Sequence, residues 1–215
     1  MKQRYPLIIF DWDGTLIDSQ SHIVDSMRGA ILEEGLEVPD DDEIRHIIGL
    51  SLPVAITRLL PEVGKEQVQR IADGYRELFF RDSHRMEQMF EGVDDIIRDL
   101  HGRGYQLAVA TGKSRRGLDL GLQMTGLGKY FHITRCADET RSKPHPQMLE
   151  EILTDLDLRP RQAVMVGDTQ YDMDMARSIG MDSLAVTYGM HDRELLQNSE
   201  PTYIIDELAE LKNIV

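Results

Sequence analysis

The sequence predicts an α/β fold: a doubly wound, Rossmann-like parallel sheet core with an all-helical cap inserted after the first strand. Two observations carry this. Short unbroken apolar runs, each ending on polar residues, alternate along the chain with helix-length amphipathic segments. Strands buried on both faces and the helices that cover them leave this pattern. The alternation is interrupted once, over about residues 19–89, where only helix-length segments and breakers occur. The predicted boundaries are 1–17 and 90–215 for the core and 18–89 for the cap.

Taken in order, Leu7-Ile8-Ile9-Phe10 is the first strand and stops at Asp11. In the insert, a helical segment over 21–34 ends at Gly35 and one over 41–48 ends at Gly49. The run Pro39-Asp40-Asp41-Asp42-Glu43 suits a helix start with a solvated acidic face. A third helix over 52–60 stops at Pro61, and a long charged one covers 66–85. The chain returns to the core near Glu91-Gly92-Val93. A second strand, Leu107-Ala108-Val109-Ala110, precedes Thr111, with helices over 114–124 and 145–156 behind it. Ala163-Val164-Met165-Val166 is a strand leading to Gly167-Asp168, followed by a helix over 171–179. Ser183-Leu184-Ala185-Val186 and Tyr203-Ile204-Ile205 complete the strands.

Composition narrows the function. The 215 residues carry 24 Lys and Arg against 38 Asp and Glu, a formal charge of −14. A nucleic-acid partner is not expected, because phosphate neutralisation needs a basic field. Cys136 is the one cysteine, so neither an intramolecular disulfide nor a cysteine zinc cluster can form. No run approaches the ~20 apolar residues that span a bilayer, and Asp11 interrupts the first apolar stretch too early for a signal peptide. A cytoplasmic protein without a membrane partner, monomer or homodimer, is the expectation.

In open α/β sheets, ligands bind outside the carboxyl ends of the strands. Those ends deliver Asp11 and Asp13, Thr111-Gly112-Lys113, Lys143, and Gly167-Asp168 with Asp172. Each string alone is an ordinary turn or helix cap; together, in order and at strand ends, they point to one site. Carboxylates converging there repel unless a cation joins them, and oxygen ligands without histidine favour a hard ion, Mg2+, over zinc.

These strings resemble the haloacid dehalogenase superfamily in its phosphatase branch, most of all the phosphoglycolate phosphatase-like group. Asp11-Trp12-Asp13-Gly14-Thr15-Leu16-Ile17-Asp18-Ser19 is similar to that family's first motif. Thr111-Gly112-Lys113 is similar to its second, Lys143-Pro144 to its third, and Gly167-Asp168-Thr169-Gln170-Tyr171-Asp172 to its fourth. The insert sits where the family carries a small helical cap. The resemblance implies Asp11 as nucleophile and Asp13 as general acid and base. It implies Lys143, Thr111 and Gly112 as phosphate-binding groups, and Mg2+ held by Asp11, the Asp13 backbone carbonyl and Asp168. Asp172 and Gly14 are supporting: Asp172 orients Lys143 or holds a metal-bound water, and Gly14 frees the backbone to turn. A small phosphorylated metabolite is the implied partner, with phosphoglycolate first. A β-phosphoglucomutase-like phosphotransferase, a pyrophosphatase and a receiver-like phospho-accepting module are the alternatives. Gly49-Leu50-Ser51 resembles the substrate-facing cap segment, flanked by Arg45, His46 and Arg58, which could meet an anionic leaving group.

Other residues have structural expectations. Asp18 and Ser19 cap the first insert helix and form the hinge. Trp12 either walls the site or packs at the cap interface. His22 is a surface helix residue, Cys136 a buried small hydrophobe, and the 11 methionines gap-fillers, with Met173 and Met175 packing behind Asp172.

Overall fold

The computed structural model describes residues 4–81 and 88–215. Six strands, β1 (Leu7–Phe10), β2 (Gln106–Thr111), β3 (Ile133–Cys136), β4 (Ala163–Gly167), β5 (Asp182–Val186) and β6 (Tyr203–Ile205), form one sheet. Their order is β3-β2-β1-β4-β5-β6, and every neighbouring pair is parallel. Strand order therefore reverses between β1 and β4, which opens a crevice at the carboxyl ends of the two central strands.

Neighbouring strand residues face opposite sides, and both sides are covered. Ile8 and Phe10 pack with Val109, Val166, Leu118 of α6 (Arg115–Thr125) and Ile96, Ile97 and Leu100 of α5 (Val93–Gly102). Leu7 and Ile9 pack with Ala108, Met165, Met148 and Ile152 of α7 (Gln147–Asp155) and Met175 of α8 (Gln170–Ser178). A short α9 (Arg193–Asn198) adds Leu196 to Met173 and Ala185. Burial on both faces is why the strands read as continuous apolar runs. Met173, Met175 and Cys136 are buried, as expected.

Three elements escaped the sequence reading. Strand β3 is an edge strand whose first three residues, Ile133, Thr134 and Arg135, are only half-buried, so it shows no apolar run. Helix α5 repeats Val93, Ile96, Ile97 and Leu100 on its buried face, a periodic signal that was present. Helix α9 has six residues, with Leu196 buried.

Between β1 and α5 lie α1 (Gln20–Glu33), α2 (Asp41–His46), α3 (Leu52–Leu59) and α4 (Lys65–Arg81). The end of the predicted 66–85 helix falls partly outside the described residues. Ile23, Met27 and Ile31 of α1, Ile44 of α2, Ile56 of α3 and Ile71 and Phe79 of α4 make a second apolar core. Asp40 starts α2 through a reciprocal pair, its side chain accepting from the Glu43 amide while Glu43 accepts from the Asp40 amide. The two crossings into this layer run side by side: the Asp18 amide donates to the Gln88 carbonyl at 2.7 Å, and Ile17 bridges antiparallel with Met89.

His22 is buried rather than exposed. Its Nε2 lies 3.0 Å from the Phe79 carbonyl, and its ring packs 4.4 Å from the Phe79 ring. Helix α1 is apolar on more of its circumference than the sequence reading allowed, because α4 covers it. Trp12 is fully buried and meets Phe131 edge-on at 6.4 Å, inside the sheet core rather than at the cap interface.

Candidate active site

The first strand sets the site. Its pairing continues one residue further, with the Asp11 amide donating to the Val166 carbonyl at 2.9 Å, which fixes Asp11 at the crevice. The chain then turns tightly: the Trp12 carbonyl accepts from the amides of Thr15, Leu16 and Ile17. Gly14 makes that turn at φ +86°, and a Cβ there would lie 2.1 Å from Asp168 Oδ2. Both the left-handed backbone and the closeness to Asp168 require glycine.

Asp11, Asp168 and Asp172 converge; each offers one oxygen within 4.8 Å of the others, and all three are buried. Lys143, also buried, lies 2.9 Å from Asp11 Oδ1 and 2.7 Å from Asp172 Oδ1. Asp172 Oδ2 accepts from the Thr169 amide and hydroxyl, so both of its oxygens are engaged at the first turn of α8. Asp168 accepts from Thr15 Oγ1 and from the Met190 amide, both at 2.8 Å. Asp11 is different: Lys143 and the Trp12 backbone approach its carboxylate, but neither oxygen makes a well-formed hydrogen bond.

Electrostatics follow from that crowding. Burial pushes the Asp11 carboxyl up to about 7, with Asp172's charge adding and Lys143's opposing. Burial raises Asp168 well above the carboxylate range, and Asp11 and Asp172 add to it. The Lys143 ammonium is raised too: burial works against it, but Asp11 and Asp172 outweigh burial. One ammonium cannot balance three buried carboxylates. An all-oxygen cluster fits a hard divalent cation, and Asp11, Asp168 and Asp172 are the residues placed to hold it. Of the three, Asp172 differs from Asp168 in also meeting the Lys143 ammonium.

Asp13 lies on the cavity side. Ser19 Oγ donates to its Oδ1 at 2.7 Å, and Lys113 Nζ stands 3.0 and 3.2 Å from its two oxygens. This corrects the expectation for Ser19. It occupies the N-cap position of α1, yet its hydroxyl makes no cap bond there and serves Asp13 instead. Lys113 had no assigned role in the sequence reading. Thr111 ends β2, buried, and its Oγ1 accepts from the Lys113 amide.

Above these groups the cap loop closes a cavity of about 240 Å³. Asp11, Asp13, Thr111, Gly112 and Lys113 line its core side, and Gly49, Leu50 and Ser51 its cap side. A Cβ on Gly112 would lie 2.5 Å from the Gly49 carbonyl oxygen, so the two backbones meet in a way only glycine allows. Further contacts hold the cap down: the Ser51 amide donates to Ser142 Oγ, and Tyr171 Oη donates to the His46 carbonyl. Arg45, His46 and Arg58 are not cavity residues. Arg45 pairs with Asp42, the His46 ring stacks on His191, and Arg58 lies over the Tyr171 ring. The loop Gly189-Met190-His191, which supplies the Met190 amide to Asp168, carries no sequence signal: a backbone donor has no side-chain signature.

Comparison with known proteins agrees with this geometry. Residues 8–186 match the family model described as haloacid dehalogenase-like hydrolase. The chain is 35% identical over 210 residues to "Probable phosphatase IndB" of Dickeya dadantii, covering 96% of this chain and 91% of that one. It is 28% identical over 214 residues to "Pyrophosphatase PpaX" of Bacillus cereus, covering 99% and 97%. Among solved structures, a predicted phosphatase from Clostridium acetobutylicum superposes with TM-score 0.88 at 26% identity, with 99% of each chain covered. A predicted phosphoglycolate phosphatase from Haemophilus somnus 129pt shares the fold at TM-score 0.90 and 24% identity, covering 100% of this chain and 99% of that one. The chain belongs to the haloacid dehalogenase-like hydrolase family and is an enzyme of its phosphatase branch.

Proposed function

We propose that the protein is a magnesium-dependent phosphomonoesterase working through an aspartyl-phosphate on Asp11. The observation that carries this reading is the Asp11 carboxylate: buried at the cavity floor, paired with Lys143, with neither oxygen tied up in a well-formed hydrogen bond. A carboxylate so loosely held at the cavity floor is free to turn an oxygen toward phosphorus. Mg2+, held by Asp11 and Asp168 with the Asp13 backbone carbonyl, would neutralise phosphoryl charge and so let one anion approach another.

The chain's own residues divide the work. In the first step an Asp11 carboxylate oxygen forms a bond to phosphorus as the bond to the leaving oxygen breaks, and Asp13 gives the leaving oxygen a proton. In the second step Asp13 takes a proton from water as the water oxygen bonds phosphorus and the Asp11–phosphorus bond breaks, releasing inorganic phosphate. Lys143, Thr111 and the Gly112 backbone hold the non-bridging oxygens, and Lys143 balances the charge that grows on them. Asp172, fixed through Thr169, keeps Lys143 aimed at Asp11. Ser19 and Lys113 hold Asp13 at the cavity wall.

The test is phosphate release from p-nitrophenyl phosphate and acetyl phosphate by the intact protein. Release that requires Mg2+, stops with a chelator and vanishes in Asp11→Asn supports the reading. Full turnover in excess chelator removes the metal from it, and full turnover by Asp11→Asn removes the nucleophile.

A further inference from the structure

The wall of the cavity facing the phosphoryl-transfer groups is apolar and aromatic. Met27, Leu50, Leu52, Tyr75, Phe79 and Phe80 line it. Tyr75 and Phe79 stack at 5.5 Å with 21° between their planes, and Phe80 meets Phe79 edge-on at 5.8 Å. Charge points the same way. Cavity carboxylates are Asp11, Asp13 and Asp138, and the cations among the described lining residues are Lys113 and Arg76. Lys113 is engaged with Asp13 and lies 4.6 Å from the Phe79 ring centre, while Arg76 pairs with Asp73 at 2.6 Å. A leaving group that is itself a carboxylate or a phosphate needs a positive partner in the wall; among the described residues Arg45 and Arg58 do not line the cavity, and Arg116 lies over the Phe80 ring, 4.4 Å from its centre, without lining the cavity.

Resting on the phosphatase reading above, we infer that the leaving group is a bulky apolar or aromatic alcohol, lying against the Tyr75–Phe79–Phe80 wall, and not an anion such as glycolate or phosphate. The volume suits this. A cavity of about 150 Å³ lined by apolar side chains takes up benzene, so about 240 Å³ holds a phosphoryl group and one ring. Offset and edge-on contacts with a planar ring are the favoured geometry for such a wall. Tyr75 supplies a single polar handle. Burial and the nearby Asp13 raise its hydroxyl, so it stays protonated and can donate to a polar atom on the ring.

The experiment compares kcat/KM of the intact Mg2+-loaded protein for benzyl phosphate, 2-phosphoglycolate and inorganic pyrophosphate, with acetyl phosphate as control. Benzyl phosphate should exceed the other two by at least about tenfold, the size of discrimination that apolar pocket contacts supply. Phe79→Ala should lower the benzyl-to-phosphoglycolate ratio by about as much. Where Phe79→Ala fails to fold by circular dichroism, Leu52→Arg takes its place, since a cation in the wall should move the ratio toward phosphoglycolate. Equal or better use of phosphoglycolate or pyrophosphate by the unmodified protein overturns the inference, as does a ratio that neither variant shifts. Acetyl phosphate turnover with neither ester consumed also overturns it. If acetyl phosphate itself is not turned over, the phosphatase reading fails and the inference falls with it.

Discussion

Asp11 is held by its neighbours in a state that water would not permit. A carboxyl near 7 in the fold and near 3.9 in the unfolded chain means the folded protein keeps a proton that the unfolded one has lost. Stability of the metal-free protein should therefore fall as pH rises from about 4 to 7, by on the order of a few kcal/mol; the buried Asp168 pushes the same way. Melting temperatures in chelator should decline between pH 5 and 8, with the slope flattened in Asp11→Asn and the gain from Mg2+ larger at pH 8 than at pH 5.5. A metal-free melting temperature that rises over that range contradicts the crowding. Gly14 tests the same cluster from its other side. Gly14→Ala places a Cβ against Asp168 and a side chain at φ +86°, at about 1–2 kcal/mol for the backbone alone. Its affinity for Mg2+, read by calorimetry, should drop more than its stability does. Asp11, Asp13, Lys143 and Asp168 were legible because each sits in a fixed string at a strand end. Ser19 was read as a helix cap and Lys113 was given no role, since the reach of a hydroxyl or an ammonium to Asp13 depends on where α1 and α6 begin.

At the scale of elements, the site depends on two backbones that touch. The α2–α3 loop lays the Gly49 carbonyl on Gly112 after β2, and Ser51 anchors it to Ser142 before Lys143. Gly112→Ala should hold the cap away from the sheet edge, lowering kcat/KM by about 10²-fold while the melting temperature changes little. Faster amide exchange at Gly49 to Ser51 is the matching signal. Unaltered exchange and kinetics would mean that the loop does not close on Gly112 during turnover. The central strands were readable because both faces are buried. Strand β3 was not, because an edge position lets Thr134 and Arg135 remain polar, and Arg135 uses its place to pair with Glu151 and Asp155. His22 was misplaced because its ring and Nε2 are satisfied by Phe79, 57 residues further along, a partner no local pattern reveals.

Under the proposed function, the whole molecule separates two tasks: the carboxyl ends of the strands would handle phosphate, and the insert would handle what phosphate is attached to. Since Asp18 and Gln88 are joined by a 2.7 Å hydrogen bond, a short linker in place of residues 20–87 can close the core. That form should hydrolyse p-nitrophenyl phosphate slowly and lose discrimination among leaving groups; a folded capless form that discriminates as the intact protein does would contradict the division. Both tasks presuppose that Asp11 carries the phosphoryl group, and the most direct measurement is rapid acid quench of Asp13→Asn with p-nitrophenyl phosphate. Its good leaving group departs with little protonation, while attack by water lacks its base, a loss of ~10² to 10⁴ in rate. The account predicts a burst approaching one nitrophenol per protein and phosphate trapped on Asp11, located by peptide mass spectrometry. No burst, with both steps slowed alike and no phosphate on Asp11, would contradict it.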